Sequence, residues 1–343
     1  MEINLPKQNN FWNSHTLREF EPINFLKNIH SNKISSVCFL KDGRFASSSG
    51  DKYVFIFNKI TFKTEITIKE KKGIVYMNIN KDGILITCLS GTFLNLYEIK
   101  GKKYKNIQTI KPYTLFMDII GIFDDSFSIQ KFIELKNGDI AILVWGYAIS
   151  FYKKEKNKKY SYLTKFTEKE GNITDLIELD NKEYIISYKY DDKIEFLDMN
   201  LNEITESIDI DKYFFSDSKN EMILMNKNDL LLVGNKDIII IDVQEKIIVK
   251  RIKISSPGYL SYISKISNNI LIAGHWDNYI EQWEYDEVKK EIKVISSTKE
   301  KEPFDIGVLF DISSISIFKN KLIISPYDNS FESSLIIYKY KNI

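Results

Sequence analysis

The chain has 343 residues, with 43% apolar and 13% aromatic side chains, ample for a core. Its 48 basic and 47 acidic residues leave a net charge of +1, so no global field draws it to nucleic acid or an acidic membrane. With only 14 glycines and 6 prolines it is not a low-complexity chain.

Residues 1–15 are polar except for Phe11-Trp12 and form an N-terminal arm. The segment MEINLPKQNN has no basic stretch followed by an apolar one, and no apolar run is long enough to span a bilayer. A soluble cytoplasmic protein is expected. Arg18 to Ile29 is a spare strand. Ile34 to Leu40, Phe45 to Ser49, Tyr53 to Phe57 and Lys63 to Lys69 are predicted as four strands, with turns at Lys41-Asp42-Gly43 and Gly50-Asp51. The first of these turns recurs as Lys81-Asp82-Gly83, Lys136-Asn137-Gly138, Asp180-Asn181-Lys182, Asn226-Lys227-Asn228, Ser267-Asn268-Asn269 and Lys319-Asn320-Lys321. The intervals are 40, 55, 44, 46, 41 and 52 residues. In unit six the strands are Leu260 to Ile266, Ile270 to Gly274, Tyr279 to Trp283 and Glu291 to Ser296. Unit seven ends three residues after its third strand, Leu335 to Tyr340.

A period of 40 to 50 residues made of strands and turns predicts an all-β, seven-bladed β-propeller with four-stranded antiparallel blades. Residues 16–343 then form a single domain, since each blade buries its faces against its neighbours. Ala273-Gly274-His275-Trp276-Asp277 through Trp283-Glu284 resembles the signature of the WD-repeat family. Unit one (Phe45 through Asn58) is similar with Phe57 in place of Trp. Unit four keeps Asp191 and ends in Leu197-Asp198. Unit two has Gly91 at the Asp position, and units three, five and seven match in strand pattern alone. The resemblance implies that the spare N-terminal strand completes blade seven, leaving no open edge. It also implies a network of His, Ser or Thr, Asp and Trp, matched here by His30, Ser47 and Asp51, by Asp191, and by Asp277 with Trp283. Phe57 ends the network in unit one. Ala273 and the lack of a preceding His erode it in unit six.

Chemistry-bearing motifs are weak. Three arginines (Arg18, Arg44, Arg251) against 45 lysines leave few planar groups for phosphate or base recognition. Cys38 and Cys88 lie in apolar strands of different blades and read as buried hydrophobes. His15, His30 and His275 show no zinc spacing, no glycine-rich phosphate loop occurs, and no cofactor is implied. His275 reads as structural, since no nucleophile is tied to it. Asp124-Asp125, Asp191-Asp192, Asp209 with Asp211, and Asp305 with Asp311 offer paired acids for a propeller-type hydrolase, although Asp also belongs in tight turns. Lysine runs at 100–105 and 153–159, with Lys289 and Lys290, would share one face and offer an alternative, RNA or acidic lipid.

The opposite face holds the turns between second and third strands and the links between blades. It carries Trp145, Tyr190, Trp276 and Tyr327, and the aromatic-rich insertions 111–127, 211–218 and 298–311. The expected function is a non-enzymatic platform for protein or peptide partners. In this reading the chain is a monomeric propeller, a scaffold or subunit within a larger hetero-complex, with those four residues as anchors and nucleic acid disfavoured.

Overall fold

A computed structural model describes residues 18–91, 93–112, 129–144, 148–167, 172–180, 182–189, 193–210, 221–234, 237–254, 260–275, 280–297, 311–318, 321–327 and 333–342. Of residues 18–22, 172, 189, 311–313, 318, 326–327 and 340–342 it describes the backbone alone. All regular elements among them are strands, arranged in seven four-stranded antiparallel sheets. This is the seven-bladed propeller expected from the turn spacing. By contact the chain divides into two compact units, residues 32–207 and residues 1–31 with 208–343.

The first unit holds four blades. They are β2(Ile34–Phe39), β3(Phe45–Ser49), β4(Tyr53–Phe57) and β5(Thr64–Lys69); β6(Ile74–Ile79), β7(Leu85–Leu89), β8(Phe93–Lys100) and β9(Lys103–Ile110); β10(Ile129–Glu134), β11(Ile140–Val144), β12(Ala148–Lys154) and β13(Tyr160–Thr167); and β14(Asn172–Glu178), β15(Glu183–Lys189), β16(Lys193–Asp198) and β17(Glu203–Asp209). Second strands such as β3, β7 and β11 are buried along their whole length. That burial explains why period-two alternation is faint in the sequence. Apolar clusters lie between successive blades: Val54, Ile56 and Ile68 pack with Met77 and Leu85, Ile86 and Leu96 with Phe132 and Ile142, and Leu143 and Phe151 with Tyr184 and Ile186. Cys38 and Cys88 are buried free thiols.

The second unit holds β18(Glu221–Leu224), β19(Asp229–Val233), β20(Asp237–Asp242) and β21(Ile247–Lys253), then β22(Leu260–Lys265), β23(Ile270–His275), β24(Ile280–Asp286) and β25(Glu291–Ser297). The seventh blade has β26(Asp311–Phe318), β27(Lys321–Tyr327) and β28(Leu335–Asn342), completed by β1(Arg18–Leu26) in the order β1-β28-β27-β26. The first and last strands pair from Arg18↔Asn342 to Leu26↔Leu335, which is the closure expected from the spare N-terminal run. The strand stops before Ile29 because Asn28 turns the chain at φ 50. Its exit is held by Asn28 N–H to Ser334 Oγ (3.3 Å) and Ile29 N–H to the Ser333 carbonyl (2.9 Å).

Two devices repeat. Turns at Gly43, Gly83 and Gly138 take φ 87, 83 and 90, a region closed to side chains at little cost only for glycine, and each closes on the carbonyl three residues back. A bulge interrupts the first strand of blades at the residues after Ile34, Ile74, Ile129, Ile173, Leu260 and Ile312. At three of them a hydroxyl in the bulge bonds the second strand thirteen residues on: Ser35 with Ser48 (3.0 Å), Thr174 with Ser187 (3.1 Å) and Ser261 with the Gly274 carbonyl (3.1 Å).

Candidate interaction surface

Turns between first and second strands and hairpins between third and fourth strands share one rim of each unit. In residues 32–207 that rim is laced by cations. Lys41 reaches the Lys81 carbonyl in the next blade. Lys81 donates to the Leu135 and Lys136 carbonyls (3.0 and 3.4 Å), and Lys136 to the Leu179 carbonyl (3.2 Å) and Asp180 (2.8 Å). The turn amides of Lys81 and Lys136 donate to Glu134 and Glu178 of the following blades. Burial pushes both of these carboxyls above the usual range, with the lysines opposing. Arg44 crosses to the Gly101 carbonyl, Lys154 to Asp82, and Lys158 to Glu98. In the other unit Lys265 caps the Leu224 and Met225 carbonyls (2.9 and 2.6 Å), and Lys290 grips the fully buried Asp229 (2.6 Å). The hairpin lysines singled out as an RNA or lipid face are in part engaged within the fold: Lys100 with Glu98, Lys154 with Asp82, Lys289 with Asp286 and Lys290 with Asp229.

The opposite rim is described in blades one and two. Asp51 caps its own turn by accepting from the Tyr53 amide (3.0 Å), while the Asp51 amide donates to Ser49 Oγ (3.2 Å). Ser49 in turn donates to the Asn32 carbonyl (2.9 Å), tying the turn to the link before the blade. Glu70 and Ser90 amides donate to the Lys52 and Gly73 carbonyls (2.8 and 2.7 Å), which tie the link after it. A Cβ on Gly73 would stand 2.9 Å from the Gly50 carbonyl oxygen, so link and turn are in close contact.

Of the candidate anchors, Trp145, Tyr190 and Trp276 lie outside the described residues, as do Asp191 and Asp277. Tyr327 ends β27, its backbone paired with Asp311. Asp124, Asp125, Asp192, Asp211 and Asp305 also lie outside, together with the arm and most of the three insertions. Among the described residues no three His, Cys, Asp or Glu side chains are grouped to hold a metal.

Of the expected network residues, His30, Ser47 and Trp283 are buried, and Phe57 stacks on Phe45 (4.8 Å between centroids). Blade two carries a buried network with different residue types. Glu70 is 4% exposed and accepts from Thr87 Oγ1 (2.6 Å), Asn95 Nδ2 (2.7 Å) and Tyr97 OH (2.9 Å). Glu70, Thr87 and Tyr97 stand at the offsets of His30, Ser47 and Phe57, so a carboxylate replaces the imidazole and a phenol the indole. That double substitution hid the network, and the preserved offsets were the available signal. In blade six the network is rebuilt around Glu281. Its Oε2 accepts from Trp283 Nε1 (2.8 Å) and lies 3.1 Å from Nε2 of the fully buried His275. His275 thus lies inside the blade rather than at its surface. In blade four Glu195 occupies the matching site and accepts from Tyr188.

No protein-family model matches this chain, and neither does any curated protein. Solved structures do match. The structure of U3-55K superposes with a TM-score of 0.70 at 10% identity, covering 94% of this chain and 100% of that one. The crystal structure of the RRP9 WD40 repeats gives 0.70 at 9% identity with the same coverage. At such identity the likeness shows the fold alone, a seven-bladed propeller of the kind that WD40 repeats build.

Proposed function

We propose that the protein is a non-enzymatic interaction platform of the WD-repeat type, a cytoplasmic subunit of a larger assembly that binds protein or peptide partners. The observation that carries this reading is the use of charge in the described blades. Buried acids (Glu70, Glu195, Asp229, Glu281) and rim lysines bond to neighbouring strands and blades, which makes a preorganised frame. A rigid frame lowers the ordering cost of binding and leaves recognition to the loops it carries. Trp145, Tyr190 and Trp276 follow β11, β15 and β23 in sequence, and Tyr327 ends β27. Large aromatic groups dominate interface energetics because they bury much area with few rotors to freeze.

The test is paired. Native partners are captured on wild type, Trp145→Ala and Trp276→Ala, and each variant is melted. Loss of an anchor weakens binding by about 2 to 4 kcal/mol with the melt unchanged. Unchanged capture by both variants moves the interface elsewhere. A lowered melt means that the aromatics pack within their own loops.

A further inference from the structure

The outer strand of a blade is a sheet edge, and among the described residues β21 exposes the longest apolar run of any such strand. Ile247, Ile248 and Val249 are 54%, 42% and 43% exposed in succession. Edges are blunted by bulges, prolines or charges, lysine above all, and β21 carries a bulge and lysines, so a strand added to it must match its charge. From Lys246 to Lys253 the chain has four cations and no acid. Two of these cations are fixed along the edge and still face water. Arg251 (41% exposed) pairs with Asp237 at 2.7 Å, and Lys250 (37% exposed) with Glu291 at 3.1 Å. Lys250 also donates to the Lys289 carbonyl (3.3 Å), which brings the hairpin bearing Val288, 92% exposed, beside the strand. A bulge at Val249 separates the pairs Ile241↔Ile248 and Asp242↔Ile247 from the regular ladder at Lys250–Lys253, which is the longer straight stretch of the edge.

We propose that β21 is a second docking site, which takes an extended, acidic and apolar segment of a partner protein as an added strand. The partner's backbone pairs with the outer edge at Lys250–Lys253, its acids face Lys250, Arg251 and Lys253, and its apolar residues cover Ile247, Ile248 and Val249. A second copy of the chain fits less well. Self-pairing of β21 sets cations against cations, which is destabilising across strands. The acidic edge β17 offers Glu203, Glu206 and Asp209, but its Ile204 is half-buried and Ile208 buried, so nothing apolar meets the exposed isoleucines.

The probe is a fluorescent peptide alternating Val or Ile with Glu or Asp, titrated against the full chain by anisotropy. Three controls accompany it: the same peptide with Lys for its acids, one N-methylated at alternate amides, and sedimentation of the protein alone. The acidic peptide binds and slows hydrogen exchange along β21, whereas the other two fail. Lys253→Glu and the double variant Ile247→Thr/Val249→Thr each weaken binding about tenfold at an unchanged melt. Leu163→Thr, on the exposed outer strand β13, leaves it unchanged, which ties the binding to β21. Equal binding of the N-methylated peptide, or no effect of either β21 variant, overturns the proposal. So does self-association that protects β21 and is broken by Lys253→Glu, since a second copy would then be the occupant.

Discussion

Replacing Glu70 with Ala probes whether buried polar networks carry the stability of these blades. Glu70 Oε1 accepts from the Thr87 and Tyr97 hydroxyls and Oε2 from the Asn95 amide, and all four side chains are buried. Truncation leaves three donors facing a void. At about 1 to 3 kcal/mol per unmet buried group, and with part of that offset by no longer burying a carboxylate, the loss is about 3 to 5 kcal/mol. Glu70→Gln is the informative companion. Its oxygen can keep the Asn95 bond while its amide donates to the two hydroxyls, which can reverse because each is donor and acceptor. The cost is then about 1 kcal/mol. Tyr97→Phe removes one of two donors to Oε1 and costs a similar amount, and combined with Glu70→Ala it adds little, because the two changes break the same contact. Urea midpoints, with hydrogen exchange along β6–β9, provide the readout. A Glu70→Ala protein within about 1 kcal/mol of wild type, or a Glu70→Gln protein as damaged as Glu70→Ala, refutes the reasoning.

Deleting residues 1–30 removes β1 and opens the edge of β28, whose Leu335, Ile336, Ile337 and Tyr338 are at most 2% exposed. The truncated chain should aggregate on a sizing column, and a melt within about two degrees of the full chain would contradict closure by β1. Burial raises the Cys38 thiol from 9.0 to about 12 and pushes Cys88 up as well. The unfolded chain therefore loses these protons first, so stability is full below pH 9 and falls as pH rises from there towards 12. Cys38→Ala and Cys88→Ala should flatten that slope, read as urea midpoints against pH, and an unchanged slope would assign it to other groups such as the buried tyrosines. Panels of esters, glycosides, phosphoesters and lactones should show no turnover. Hydrolysis abolished by Asp191→Asn or Asp305→Asn would replace the platform reading with an enzymatic one.

The number of blades, their strand order and the closing role of the first strand were all legible in the sequence. The first two rest on local chemistry repeated along the chain. A Lys-Asp-Gly turn demands a positive φ, strands between turns bury both faces, and the resemblance to WD-repeat propellers gave the spare strand its place. The sequence alone did not reveal which polar groups meet. Glu70 and Tyr97 are 27 residues apart and Asp229 and Lys290 are 61 apart, and only the packing of strand on strand and blade on blade makes them neighbours. The acceptor of a turn lysine is a backbone carbonyl in the next repeat, which no residue type advertises. The exposed edge at β21 was hidden for the same reason. An apolar run with interspersed lysines reads as an ordinary strand until the sheet order shows that one side of it has no neighbouring strand among the described residues.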